Sequence, residues 1–134
     1  MSTAETATPE ARPLWLLIVV RICASYIALC QLGALAGSLV PLFVPTSRTA
    51  VYTPLLPSLA LIHSLVALVT AGMLFVVLRS ARVGLLAALV INTVECTTLA
   101  YSISVPAAIM GFVFGLFLYI PPLVLIYWRP RDFR

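Results

Sequence analysis

Five polar or ionisable residues interrupt long apolar stretches of this sequence, and their types could do chemistry. They are Gln31, His63, Asn92 and Glu95, with Arg21 as a secondary candidate. A carboxyl group and an imidazole can exchange a proton, and apolar surroundings disfavour the charged carboxylate. Asn92 and Glu95 are three residues apart and share one helix face. These residue types predict either a proton-coupled transport site or hydrogen bonds that hold helices together.

The spacing within the apolar runs predicts that these residues form one cluster. If each run is a helix, Glu95, His63 and Gln31 lie about 3, 6 and 7 Å from the run midpoints, toward the same side. Asn92 lies almost at its midpoint, and Arg21 lies about 7 Å toward the other side. We therefore expect an intramembrane polar cluster of Gln31, His63, Asn92 and Glu95, with the Arg21 guanidinium extended toward lipid headgroups.

The composition indicates the surroundings in which such a cluster would lie. The chain has 134 residues, of which 63% are hydrophobic and 9% are charged. A soluble domain typically has about 25% charged residues. This balance argues against a soluble enzyme, a secreted disulfide scaffold and a disordered chain. It predicts an integral membrane protein.

Four apolar runs contain the polar residues. They cover residues 14–40, 55–78, 83–104 and 107–128. Each is long enough to cross a bilayer, which needs about 20 residues. Lipid offers the backbone no hydrogen-bond partner, so each span must be a helix. The predicted fold is an all-α membrane protein, a four-transmembrane-helix antiparallel bundle over residues 14–128, between a disordered tail (1–13) and a basic tail (129–134).

The arginines predict the orientation of this bundle. Four crossings put six of the eight on one side and Arg48 on the other. The six are Arg12, Arg79, Arg82, Arg129, Arg131 and Arg134. Basic residues are enriched in cytoplasmic loops, so we expect both termini in the cytoplasm. Arginine in place of lysine is typical of GC-rich bacterial genomes, which points to a multi-pass protein of the bacterial inner membrane. The arginines form no clustered stripe, so nucleic acid is not an expected partner.

Two GxxxG motifs and a proline pair are candidate packing and hinge positions. They are Gly33 with Gly37, Gly111 with Gly115, and Pro121 with Pro122. Small residues let two helix backbones approach closely, within one chain or between chains. We favour packing within the chain. The prolines remove backbone hydrogen bonds and predict either a hinge or a static bend in the fourth span.

The second half of the chain carries a resemblance. A basic turn reads LRSAR, and the last span ends with the sequence IYWRPRDF. This half resembles small four-span bacterial inner-membrane proteins of uncharacterised function, many of which end in aromatic residues, Arg-Pro and a terminal Phe. The resemblance implies a four-helix membrane fold and no particular activity.

Three functions are compatible with this sequence. It contains no motif that cradles phosphate, binds a dinucleotide or pairs a nucleophile with a base. We therefore predict no catalytic residue, no metal and no cofactor. The favoured hypothesis is a non-enzymatic subunit, assembly factor or regulator of a larger membrane complex, whose partners are membrane lipids and other subunits or a second copy. The alternatives are a proton-linked small-molecule transporter or channel centred on Glu95, and a binder of lipid or an apolar small molecule.

Overall fold

The computed structural model describes residues 13–43 and 55–134. Predictions that concern the amino-terminal tail with Arg12, or the segment 44–54 with Arg48, lie outside the described residues. The described chain is all-α, which confirms the predicted fold class at that level. Its helices are α1 (Leu14–Phe43), α2 (Leu55–Phe75), α3 (Ala81–Ser102) and α4 (Val105–Trp128), followed by a short 3-10 helix (Pro130–Asp132).

The connection between α3 and α4 is short because a hydroxyl group starts the last helix. The Ser104 side chain accepts a hydrogen bond from the Ala107 backbone N–H at 3.5 Å. Pro106 lies in the first turn of α4, where its missing N–H costs nothing. Only residues 103–104 separate the two helices, so α4 must return alongside α3.

The four helices form a closed ring of neighbours. α1 and α3 each pack against both α2 and α4. Residues near the start of one helix contact residues near the end of the next, so neighbouring helices are antiparallel. The pairs are Arg21 with Phe75, Thr70 with Gly84, and Cys96 with Gly111.

The core is built from stripes of buried residues that recur every three or four positions. On α1 they are Leu16, Val20, Ala24, Ile27 and Gln31, and on α3 they are Ala81, Leu85, Ala88, Asn92 and Cys96. This spacing follows the helical repeat of 3.6 residues, so each stripe faces the bundle interior. Gln31 and Asn92 occupy positions in otherwise apolar stripes, so their amide groups lie inside the bundle.

The outer surface of the bundle is apolar. Large hydrophobic side chains are exposed on every helix, among them Leu29, Leu65, Val90, Met110 and Phe117. All four helices are long and apolar enough to cross a membrane. Water would be a poor solvent for such a surface, whereas lipid tails match it. The architecture is that of a multi-pass membrane protein.

Residues 129–134 fold back onto the turn between α2 and α3, and we call this segment the clasp. The Phe133 side chain is 5% exposed and joins the hydrophobic core. The Arg134 N–H donates to the Val77 carbonyl at 3.0 Å, and the Arg79 N–H donates to the Arg134 oxygen. Val77 has a φ of 61°, which is rare for a β-branched residue. The basic segment is therefore ordered against the bundle, and it covers a strained turn.

Candidate functional site: a buried hydrogen-bond network

One side chain from each helix joins a hydrogen-bond network inside the bundle. Gln31 Nε2 donates to the Tyr119 hydroxyl at 2.8 Å. That hydroxyl lies 2.8 Å from His63 Nε2. On the other side of the imidazole, His63 Nδ1 lies 2.7 Å from Glu95 Oε2. We call these four residues the network, and it links α1, α4, α2 and α3 in that order.

Close packing of α3 and α4 accompanies the network. Gly115 is buried on α4, and a Cβ at this position would overlap the Asn92 amide on α3. Tyr119 follows Gly115 by four residues and Glu95 follows Asn92 by three, so both lie on the faces that meet. The missing side chain at Gly115 lets the two helices approach at the level of the network.

The network is closed except at Glu95. Tyr119 is 1% exposed, and Gln31 and His63 are 6% and 7% exposed. The Glu95 side chain is 24% exposed. Buried polar groups are costly unless they are hydrogen-bonded, and here each buried member has a partner. Of the four side chains, only the Glu95 carboxyl group reaches the outer surface of the bundle.

The direction of each hydrogen bond depends on how many protons the network holds. With Glu95 ionised and His63 neutral, Nδ1–H donates to the carboxylate and the Tyr119 O–H donates to Nε2. Tyr119 then accepts from Gln31, so every group is satisfied around one negative charge. If the His63–Glu95 pair holds one further proton, His63 Nε2 carries a hydrogen and becomes a donor. The hydroxyl hydrogen of Tyr119 then has no acceptor on His63. Rotation of the Gln31 amide restores an acceptor for it, because the amide oxygen then faces Tyr119. Proton uptake and the orientation of the Gln31 amide are thus coupled.

The structure joins three of the four residues of the predicted cluster. Gln31, His63 and Glu95 belong to the network. Asn92 lies nearby but outside it, and its buried Nδ2 has no hydrogen-bond partner among the described residues. Arg21 lies on the outside of the bundle, with its guanidinium carbon 5.4 Å from the centre of the Phe75 ring.

Tyr119 links Gln31 to His63, although it is not among the residues of the predicted cluster. Tyrosines in membrane proteins are enriched at the two membrane interfaces. Tyr127 has such a position, because it lies near the end of the last predicted span. Tyr119 instead falls near the middle of the run 107–128. A buried tyrosine hydroxyl usually needs a partner. This unusual depth was the signal that could have added Tyr119 to the cluster.

The two GxxxG motifs have different surroundings. A Cβ on Gly111 would lie 3.3 Å from Cys96 Sγ, and Gly115 also packs on α3. A Cβ on Gly33 or Gly37 would meet nothing within 4 Å in the described part of the chain. The α4 motif packs inside the bundle, whereas the α1 motif has no such contact there.

The proline pair lies inside α4, which continues through both residues to Trp128. Pro122 is buried and Pro121 is exposed. Tyr119 precedes them by two and three residues, so the missing backbone donors fall in the turn that holds the network.

Surface grooves lie apart from the network. The groove between α3 and α4 has a volume of about 540 Å³ and is lined by Thr93, Cys96, Tyr101, Ile109 and other residues. Three further grooves have mostly apolar walls, and none of the four is lined by a residue of the network. The network is therefore packed within the helices and does not form the wall of these grooves.

Neither a metal site nor a relative defines this protein. Within residues 13–43 and 55–134, no three His, Cys, Asp or Glu side chains form a group that could hold a metal ion. No protein-family model, curated protein or solved structure matches the chain. The fold and the network place it in the class of all-α proteins with four helices suited to cross a membrane.

Proposed function

We propose that this chain is a non-enzymatic integral membrane protein that acts as a subunit, assembly factor or regulator of a larger membrane complex. The observation that carries this proposal is the free glycine face of α1. A Cβ added at Gly33 or Gly37 would meet no described atom within 4 Å, and such a motif lets another helix approach closely. A second transmembrane helix, from a partner or from another copy, fits this face.

The network supports the same proposal because its polar atoms bind one another. Both imidazole nitrogens of His63 and the hydroxyl of Tyr119 already have partners within the chain. Interhelical hydrogen bonds of this kind hold membrane helices together. A bundle whose helices are held by internal hydrogen bonds keeps the same outer surface, which a partner can bind.

The arginine distribution supports an orientation for this role. We propose that both termini face the cytoplasm of a bacterium and that the chain lies in the inner membrane. Arg129, Arg131 and Arg134 belong to the clasp, Arg79 lies in the turn it contacts, and Arg82 lies in the first turn of α3. Basic residues at one end of a bundle favour the cytoplasmic side.

Copurification from native membranes tests the proposed function. The variant Gly33→Leu/Gly37→Leu fills the free face of α1. Gly72→Leu is the matched control, because Gly72 is also a helical glycine with open space around it. We expect wild-type protein and the control to retain the same stoichiometric partner in mild detergent, and the double variant to lose it. Retention of that partner by the double variant, or robust solute flux in liposomes without any partner, contradicts the proposal.

A proton-linked transporter or channel is the second candidate function. The observation that favours it is the partial exposure of Glu95 next to the buried His63. In this hypothesis a proton enters at the Glu95 carboxyl group and passes to the His63 imidazole, and the Gln31 amide rotates in response. This hypothesis predicts that Glu95→Gln abolishes proton-coupled flux in liposomes while the thermal melting temperature stays near that of the wild type. Equal loss of folding would favour the structural role of the network.

A further inference from the structure

The clasp brings arginines from distant parts of the sequence to one end of the bundle. Arg79 lies in the turn between α2 and α3, and Arg82 lies in the first turn of α3, with its N–H 3.2 Å from the Arg79 carbonyl. The backbone hydrogen bonds of the clasp place Arg134 directly beside Arg79. We call Arg79, Arg82 and Arg134 the arginine patch.

The guanidinium groups of the arginine patch have no carboxylate partner in the described part of the chain. The close contacts between basic and acidic side chains there are His63 with Glu95, and Arg129 with Asp132 at 4.0 Å. Arg79 and Arg134 are exposed, and Arg82 is partly buried. Backbone contacts hold these basic residues at one end of the bundle, where their positive charges attract an anion.

Aromatic residues place this end of the bundle at the level of lipid headgroups. Trp15 at the start of α1 and Trp128 at the end of α4 are both exposed. The Arg129 guanidinium carbon lies 5.9 Å from the centre of the Trp15 ring and 5.8 Å from that of Trp128. Exposed tryptophans mark the membrane interface, so the anions nearest to the arginine patch are lipid phosphates.

We propose that the arginine patch binds the phosphodiester headgroup of an anionic phospholipid, and that the clasp assembles this site. Guanidinium groups bind phosphate oxygens through paired N–H donors, which a single point charge cannot do. Basic clusters on the cytoplasmic side of transmembrane helices attract anionic lipids. The site depends on the clasp because Arg134 reaches the turn only while Phe133 is buried in the core. This inference rests on the proposed orientation but not on the proposed role as a subunit or regulator.

Lipid retention in nanodiscs tests this proposal. Full-length protein is reconstituted with phosphatidylglycerol and phosphatidylcholine, and the lipids retained after extraction into neutral detergent are measured by native mass spectrometry. We expect wild-type protein to retain phosphatidylglycerol preferentially. Arg134→Gln should lower that preference about fivefold, and the triple variant Arg79→Gln/Arg82→Gln/Arg134→Gln about a hundredfold. An unchanged preference in the triple variant overturns the proposal.

Two controls separate the assembled site from net charge and from free anions. Phe133→Ala keeps every arginine but releases the clasp, and we expect the same loss as in Arg134→Gln. If Phe133→Ala retains lipid like the wild type while Arg134→Gln does not, the role of the clasp is wrong. Inorganic phosphate should displace no more lipid than sodium chloride at equal ionic strength. Selective displacement by phosphate would indicate a site for the free anion and overturn the assignment to lipid.

Discussion

The Tyr119 hydroxyl binds Gln31 and His63 at once, so a single oxygen atom holds α1, α2 and α4 together. Removing it should leave two buried polar groups without partners. We expect Tyr119→Phe to lower the free energy of unfolding by about 1–2 kcal/mol. Tyr101→Phe is the matched control, because the Tyr101 side chain is 91% exposed. Thermal melts in one detergent compare the variants, and equal melting temperatures for both would contradict the network.

The hydrogen-bond directions give a spectroscopic prediction at the same scale. When the His63–Glu95 pair holds one further proton, the Gln31 amide oxygen should accept from Tyr119. A new hydrogen bond lowers the stretching frequency of an amide carbonyl. We expect acid-minus-neutral infrared difference spectra to show this shift in the wild type and to lose it in Gln31→Leu. A side-chain signal that persists in Gln31→Leu would assign the shift to another amide.

Helix rise was enough to predict that Gln31, His63 and Glu95 share one layer, because depth depends only on position in a span. It could not predict which side chains meet, because that depends on the rotation of each helix about its axis. Asn92 illustrates the limit. It shares a helix face with Glu95, yet its amide points at Gly115 and not at the network.

At the scale of the elements, the contact between α3 and α4 depends on Gly115. A methyl group there overlaps the Asn92 amide, and moving the helices apart weakens packing along both. We expect Gly115→Ala to lower the free energy of unfolding by about 1–3 kcal/mol. Gly33→Ala adds the same methyl group in open space, and because alanine favours a helix more than glycine does, this control should be neutral or stabilising by up to about 1 kcal/mol.

A second substitution checks the cause of this loss. Asn92→Ala removes the group that the new methyl would strike. In the double variant Asn92→Ala/Gly115→Ala, the further cost of the Gly115 substitution should shrink to less than half its value in the wild-type background. Strictly additive effects in a double-mutant cycle would show that the two residues do not interact.

The helices were predictable from their apolar runs, and the clasp was not. A run of apolar residues longer than the bilayer thickness determines a span almost by itself. The clasp reads as a polar, basic segment, and its fold depends on Phe133 entering a core formed by residues far away in the sequence. Tertiary contacts of this kind leave no periodic pattern in the segment that makes them.

For the whole molecule, the asymmetry of charge should decide how the bundle inserts. Five arginines lie at the end formed by the clasp and the adjoining turn. We expect a reporter joined after Arg134 through a flexible linker to be active in the cytoplasm and inactive in the periplasm. A topology assay with paired cytoplasmic and periplasmic reporters measures this, and periplasmic activity alone would reverse the orientation.

The network also has an electrical consequence. Helix rise places Gln31, His63 and Glu95 within about 4 Å of one another in depth, so a proton that moves between Glu95 and His63 travels mainly across the bundle. Moving charge sideways does no work against the transmembrane voltage, which acts along the bilayer normal. Proton exchange between Glu95 and His63 should therefore be almost electrogenically silent, and any large voltage-dependent current would have to come from steps that connect Glu95 to the aqueous phases.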